Sequence, residues 1–130
     1  NRLNDSGNYF FYIQCGPEQN EISKNIINNI KKNNCIDLSK MNIREIVPIL
    51  YLSDMYVGND SFSHHITSQC NKPSIVILLN TPKAYTDYSR NHHRIIPDNA
   101  KIEDLNHTSG YNADSISVKK VFSKIIEIKN

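Results

Sequence analysis

The chain has 130 residues, 38% of them hydrophobic and 22% charged, with a formal net charge of +2. That length and balance suit one folded domain and argue against disorder. Lys and Arg are scattered rather than clustered, which excludes a nucleic-acid surface. No apolar run approaches the ~20 residues of a membrane span, and no signal-peptide pattern is visible.

Residues 1–8 are polar and read as a frayed lead-in to a single domain over residues 9–130. Residues 9–15, YFFYIQC, are aromatic and apolar on both faces, which predicts a buried strand. Gly16 and Pro17 stop it, and Pro17 followed by Glu18 suits the first turn of a helix. Ile22, Ile26, Ile27 and Ile30 then fall on one stripe, read as core, and Lys31 and Lys32 close the helix. Residues 35–38 predict a second strand. Asn42 to Glu45 has the form of a capping box, with Ile43, Ile46, Val47 and Leu50 behind it and Pro48 expected to kink the helix.

Residues 55–57 predict a third strand, a helix from near Ser61 to about Cys70 follows, and residues 74–79 predict a fourth strand. A long polar loop covers residues 80–93, and residues 94–96 suggest a short fifth strand. Ser115 or Ser117 caps a last helix whose apolar face is Val118, Val121, Phe122, Ile125 and Ile126. Strands alternating with helices predict an α/β fold: a parallel sheet with helices on both faces. Ligands bind such sheets at the carboxyl ends of the strands.

The turn from Gly58 to Ser63 lies at that edge, and two readings of it stand. Asp60 and Ser61 either cap the helix that follows, or form a site. A helix N-terminus carries unpaired N–H groups and about half a positive charge, and so receives a phosphate. In the second reading Ser61 and the N–H groups of Phe62 and Ser63 face the phosphate, Asp60 accepts from sugar hydroxyls, and His65, four residues after Ser61, donates to the same anion. His64 is assigned to solvent or packing. His92 and His93 near Asp87 lack metal-ligand spacing, so no metal is expected. Tyr85 and Tyr88 read as loop packing. Cys15, Cys35 and Cys70 read as reduced thiols in a cytoplasmic protein, and Cys15 and Cys70 as structural.

The series Asp54-Met55-Tyr56-Val57-Gly58-Asn59-Asp60-Ser61, then His65, then Lys72-Pro73-Ser74-Ile75-Val76, resembles the family-9 glycosyltransferases, the ADP-heptose:lipopolysaccharide heptosyltransferases and their relatives. Cys15-Gly16-Pro17-Glu18, Asp37-Leu38-Ser39-Lys40 with Ile43-Arg44-Glu45, His93 to Ile96, and Ile116-Ser117-Val118 agree in order. The similarity covers roughly residues 9–126. It implies the C-terminal half of a bacterial GT-B enzyme, a Rossmann-like nucleotide-sugar-binding domain, with its own first strand and helix missing and belonging to a longer two-domain chain. It further implies inverting, metal-independent transfer of a heptose or related sugar from ADP-heptose or a similar donor. The acceptor would be a glycan or lipid-linked cell-surface polysaccharide or lipopolysaccharide, held with the catalytic base by an N-terminal domain absent here. No cofactor is implied, and the location is the cytoplasm or, for a full-length protein, the inner-membrane periphery.

By the same resemblance Asp60, Ser61, Phe62, Ser63 and His65 meet the diphosphate and sugar, and Lys40 and Met41 lie near the base and ribose. Two departures stand out. Phe62 occupies a family glycine, and Asn80-Thr81-Pro82 replaces Gly-Pro-Thr. They motivate an alternative, a non-catalytic binding or interaction module on the same fold. A third reading is another Rossmann-like enzyme, such as a nucleotide-sugar epimerase.

Overall fold

The structure is a computed structural model that describes residues 3, 5, 9–16, 18–30 and 34–130. The expectations for Pro17, Lys31, Lys32 and most of the lead-in fall outside these residues. Two compact units divide the chain, Asn1–Ile46 and Val47–Asn130.

In the first unit strand β1 (Phe11–Ile13) pairs in parallel with β2 (Cys35–Asp37), Phe11 opposite Cys35 and Ile13 opposite Asp37. The expected seven-residue first strand shortens to three because its partner offers only three residues. Helix α1 (Asn20–Asn28) connects the two strands. Its buried residue is Ser23, while Ile22 and Ile26 of the expected core stripe are exposed. A pair of three-residue strands is too narrow to cover that stripe. Leu38, 1% exposed, is the buried apolar anchor after β2.

Helix α2 (Ile43–Leu52) begins in this unit with a reciprocal capping box. Asn42 Oδ1 accepts from the N–H groups of Arg44 (3.0 Å) and Glu45 (3.2 Å), and Glu45 Oε2 accepts from the Asn42 N–H at 2.8 Å. The helix continues past Pro48 to Leu52, burying Ile46 and Leu50.

The second unit holds a parallel sheet of β3 (Tyr56–Asn59), β4 (Ser74–Ile77) and β5 (His92–Ile95), in the order β3-β4-β5. Tyr56 lies opposite Ser74, and Ser74 opposite His92. The central strand is apolar because both its neighbours and both its faces are covered: Ser74, Ile75 and Val76 are fully buried. Each of the two apolar side chains contributes about 1.5–3 kcal/mol by burial. Strand β5 starts two residues earlier than the apolar pattern predicts, so that His92 enters the sheet.

Helix α3 (Phe62–Gln69) follows β3 and ends in a Schellman motif. Asn71 adopts φ 59°, and its N–H and that of Lys72 donate to the Ser68 and Thr67 carbonyls at 3.1 Å each. After β4 the Asn80 amide pairs with the Tyr111 backbone, accepting at 3.0 Å and donating at 2.9 Å. This folds the long loop over a core of Val76, Leu78 and Leu105. Helix α4 (Val118–Lys129) is capped by Ser117, whose Oγ accepts from the Lys120 N–H at 3.2 Å. Ile125 is its buried residue, and Val118, expected on the apolar face, is exposed. Lys120 Nζ donates to the Ile96 carbonyl (2.6 Å) and to Asp98 (2.7 Å), holding α4 to the chain after β5.

Among the described residues the architecture is therefore parallel strands in two small sheets with four α-helices, an α/β Rossmann-like arrangement. No helix among them is long and apolar enough to cross a membrane.

Candidate functional site

The carboxyl end of β3 delivers the chain into α3 through Asp60 and Ser61. Gly58 makes this turn possible by what it lacks. A Cβ there would lie 2.4 Å from Tyr56 Oη and 2.8 Å from Cζ, distances real Cβ atoms do not reach. The Tyr56 phenol occupies that space, donates to the Asn59 carbonyl at 2.9 Å and shares a hydrogen bond with Ser61 Oγ at 3.1 Å. Burial raises the Tyr56 phenol above its ordinary value, and the Ser61 bond lowers it in part.

Ser61 is the N-cap by position but makes no side-chain capping bond. Its hydroxyl is turned to Tyr56, so the capping reading of this residue does not hold in this conformation. Phe62 begins the helix with ordinary backbone geometry: among the described residues the non-glycine with positive φ is Asn71. The glycine that the family carries at this position is thus not demanded by the backbone here.

Asp60 is only partly exposed and is already engaged. Its Oδ1 accepts from His64 Nε2 at 2.6 Å and stands 3.6 Å from His65 Nε2. His64 is therefore not a solvent-facing or idle packing residue. It is fully buried, and it is the functional candidate that sequence reasoning missed. The signal was present: Asp60 and His64 are four apart, the same helical spacing that linked Ser61 to His65. Burial lowers the His64 pKa most, and the Asp60 hydrogen bond opposes it.

His65 Nδ1 is hydrogen-bonded to Tyr88 Oη, and the two rings stack with centroids 5.7 Å apart. Tyr88 also meets the His92 ring edge to face at 4.8 Å, which places it as packing over the cluster. His92 Nδ1 donates to the Thr86 carbonyl at 3.1 Å. That carbonyl is fixed in turn by Arg94, whose Nε donates to Thr86 Oγ1 at 2.7 Å and whose Nη2 donates to Thr86 O at 2.9 Å and to Asp87. Asp87 is an arginine partner rather than a companion of His92 and His93. Burial lowers the pKa values of His92 and His93.

The structure thus keeps Asp60, Ser61, Phe62, Ser63 and His65 together at one turn and adds Tyr56, His64, His92 and Tyr88 to it. Lys40 and Met41 lie in the first unit, both exposed in the turn between β2 and α2, where the Met41 N–H donates to the Leu38 carbonyl at 2.9 Å. Cys15, Cys35 and Cys70 are free thiols, and burial raises the Cys15 pKa, which makes it less reactive.

Parallel strand–helix units with a polar turn at a carboxyl edge define the class as a Rossmann-like domain of the kind that makes up half of a GT-B enzyme. The chain matches the family model of Glycosyltransferase family 9 (heptosyltransferase) over residues 1–112, and it belongs to that family. No curated protein and no solved structure matches it.

Proposed function

We propose that the chain is the donor-binding part of a glycosyltransferase and holds a nucleotide diphosphate sugar, ADP-heptose or a close relative, at the β3–α3 turn. The observation that carries this reading is the Asp60-Ser61 turn at a strand's carboxyl end, opening a helix with His65 one turn in, within a family-9 chain. A diphosphate there meets the positive end of α3. His65 is partly exposed, and in this reading its ring turns from Tyr88 or Asp60 to the anion.

In this reading a base in an N-terminal domain deprotonates the acceptor hydroxyl of a cell-surface glycan or lipid-linked acceptor. The oxygen attacks the anomeric carbon with inversion, and the diphosphate leaves with growing negative charge. The helix N–H groups, Ser61 and His65 stabilise that charge from fixed positions. No metal takes part in the transfer. Lys40 and Met41 are candidates for base and ribose contacts on the resemblance alone. The alternative, a non-catalytic module, rests on Phe62.

Titration of ADP, UDP and GDP, free and sugar-linked, followed by amide chemical shifts, tests the reading. Shifts clustered at residues 60–65 are expected, with one base preferred. Silence with every ligand, together with an inert longer enzyme, overturns it. A Phe62→Gly variant that gains affinity favours the non-catalytic alternative.

A further inference from the structure

Three imidazoles converge beneath the β3–α3 turn. A ring nitrogen from each of His64, His65 and His92 lies within 4.8 Å of one from each of the others. Two of the rings are buried and each is held through one nitrogen, as metal-ligating imidazoles are, one on a carboxylate and one on a backbone carbonyl. His64 Nε2 donates to Asp60 at 2.6 Å, and His92 Nδ1 donates to Thr86 O at 3.1 Å. Each bond fixes a tautomer, leaving the other nitrogen as a bare lone pair. Those remaining atoms, His64 Nδ1 and His92 Nε2, are buried and make no hydrogen bond of good geometry among the described residues, the His64 carbonyl lying near the His92 ring without closing one. Buried polar atoms are nearly always paired, so two orphans in one cluster call for a ligand.

We propose that His64, His65 and His92 bind a divalent cation of the zinc class, which ties α3 to β5. Neutral imidazole suits zinc, cobalt, nickel and copper, whereas magnesium and calcium prefer oxygen. Tetrahedral nitrogens at ~2.1 Å stand ~3.4 Å apart, so the rings draw in by roughly an ångström on binding. Tyr88 covers the cluster through its contacts with His65 and His92. The ion is structural and takes the His65 ring, so with the cation bound the anion of the donor reading is met by the α3 N–H groups and Ser61; no nucleotide enters the test of the cation site.

The test uses the purified 130-residue chain, stripped with a chelator and titrated with cobalt(II) and zinc(II) chloride at neutral pH. Expected are one equivalent bound, the ligand-field absorption of four-coordinate cobalt, perturbed ring-nitrogen shifts of all three histidines, and a raised melting temperature. His65→Ala, at a partly exposed position, and His92→Gln each weaken binding at least about tenfold. Asp60→Asn weakens it roughly 10–100-fold through His64, and the exposed His107→Ala leaves it unchanged. The opposite result is a cluster of neutral imidazoles without a cation, in which the His64 carbonyl that also faces the His92 ring serves as its partner. No stoichiometric binding, or binding of equal affinity in both His65→Ala and His92→Gln, overturns the site.

Discussion

The Asp60–His64 bond yields the sharpest stability prediction. His64 is fully buried, and its Nε2 reaches Asp60 at 2.6 Å, while its Nδ1 has no partner. Truncating Asp60→Ala leaves the ring with two unsatisfied nitrogens inside the protein. An orphaned buried donor costs about 1–3 kcal/mol. An exposed turn residue with no such partner would cost under about 0.5 kcal/mol. At this chain length the larger figure lowers the melting temperature by roughly 3–5 °C per kcal/mol. Urea unfolding in chelator, with amide exchange read locally along Phe62–Gln69, measures it. Asp60→Asn keeps an acceptor and should recover most of the loss. The double variant Asp60→Ala with His64→Phe should be less destabilised than the two single losses summed, since replacing both partners removes the orphan. If Asp60→Ala unfolds with the wild type and exchange along α3 is unchanged, the bond does not hold the helix start, and the turn is organised some other way.

Other substitutions probe neighbouring contacts. Gly58→Ala drives the Tyr56 ring out, breaking its bonds to the Asn59 carbonyl and Ser61. A loss of about 1–2 kcal/mol and a phenol pKa closer to its ordinary value are expected by ultraviolet titration, and an unmoved phenol refutes the clash. Arg94→Met leaves the Thr86 carbonyl to His92 alone and should destabilise by about 1–2 kcal/mol, with the His92 ring resonances broadened by NMR; sharp, unshifted ones count against the clamp. Asn71→Gly should be near neutral while Asn71→Ala costs about 1 kcal/mol, because position 71 sits at φ 59°; equal melting temperatures would refute this. In chelator, stability should decline as pH falls. His64, His92 and His93 have lowered folded pKa values, so below about 6.5 the unfolded chain takes up protons that the folded chain resists. The groups facing them, Asp60, His65, Arg94, Lys124 and Glu127, set the depth of the loss, and a flat profile between neutral pH and pH ~5 contradicts the burial of these rings.

Much of the alternation of strand and helix was legible because local chemistry states it. Residues 75–79 are a continuous apolar run, and a run of that kind needs cover on both faces, as a central parallel strand receives. The Asn42 capping box, the Ser117 cap and the break after Cys70 are equally local, and the structure shows each one formed. What was not legible depends on partners distant in sequence. The first strand is short because β2 is short. The stripe of α1 stays partly exposed because the sheet under it is narrow. His92 enters a strand because register sets it beside Ser74, and nothing within five residues of it announces that pairing. His64 is the instructive case, since its spacing from Asp60 was readable but its burial was not.

The turn's own chemistry follows from that burial. A carboxylate bonded to an enclosed imidazole at 2.6 Å is less available to a sugar hydroxyl than a solvated one, so Asp60 positions before it binds. Through His64 it fixes the start of α3, and the start of α3 fixes where Ser61 and His65 can meet an anion. Ser61 is held back by Tyr56 at 3.1 Å, a neutral hydrogen bond worth about 1 kcal/mol, which a charged phosphate oxygen can outbid. Donor binding by the proposed route therefore requires Ser61 to exchange the phenol for the phosphate while Asp60 stays on His64. Tyr56→Phe separates the two: it frees Ser61 without touching Asp60, and should tighten nucleotide diphosphate binding by up to about fivefold. A weaker affinity in Tyr56→Phe would mean that the phenol belongs to the binding surface, and that Ser61 works only when Tyr56 orients it.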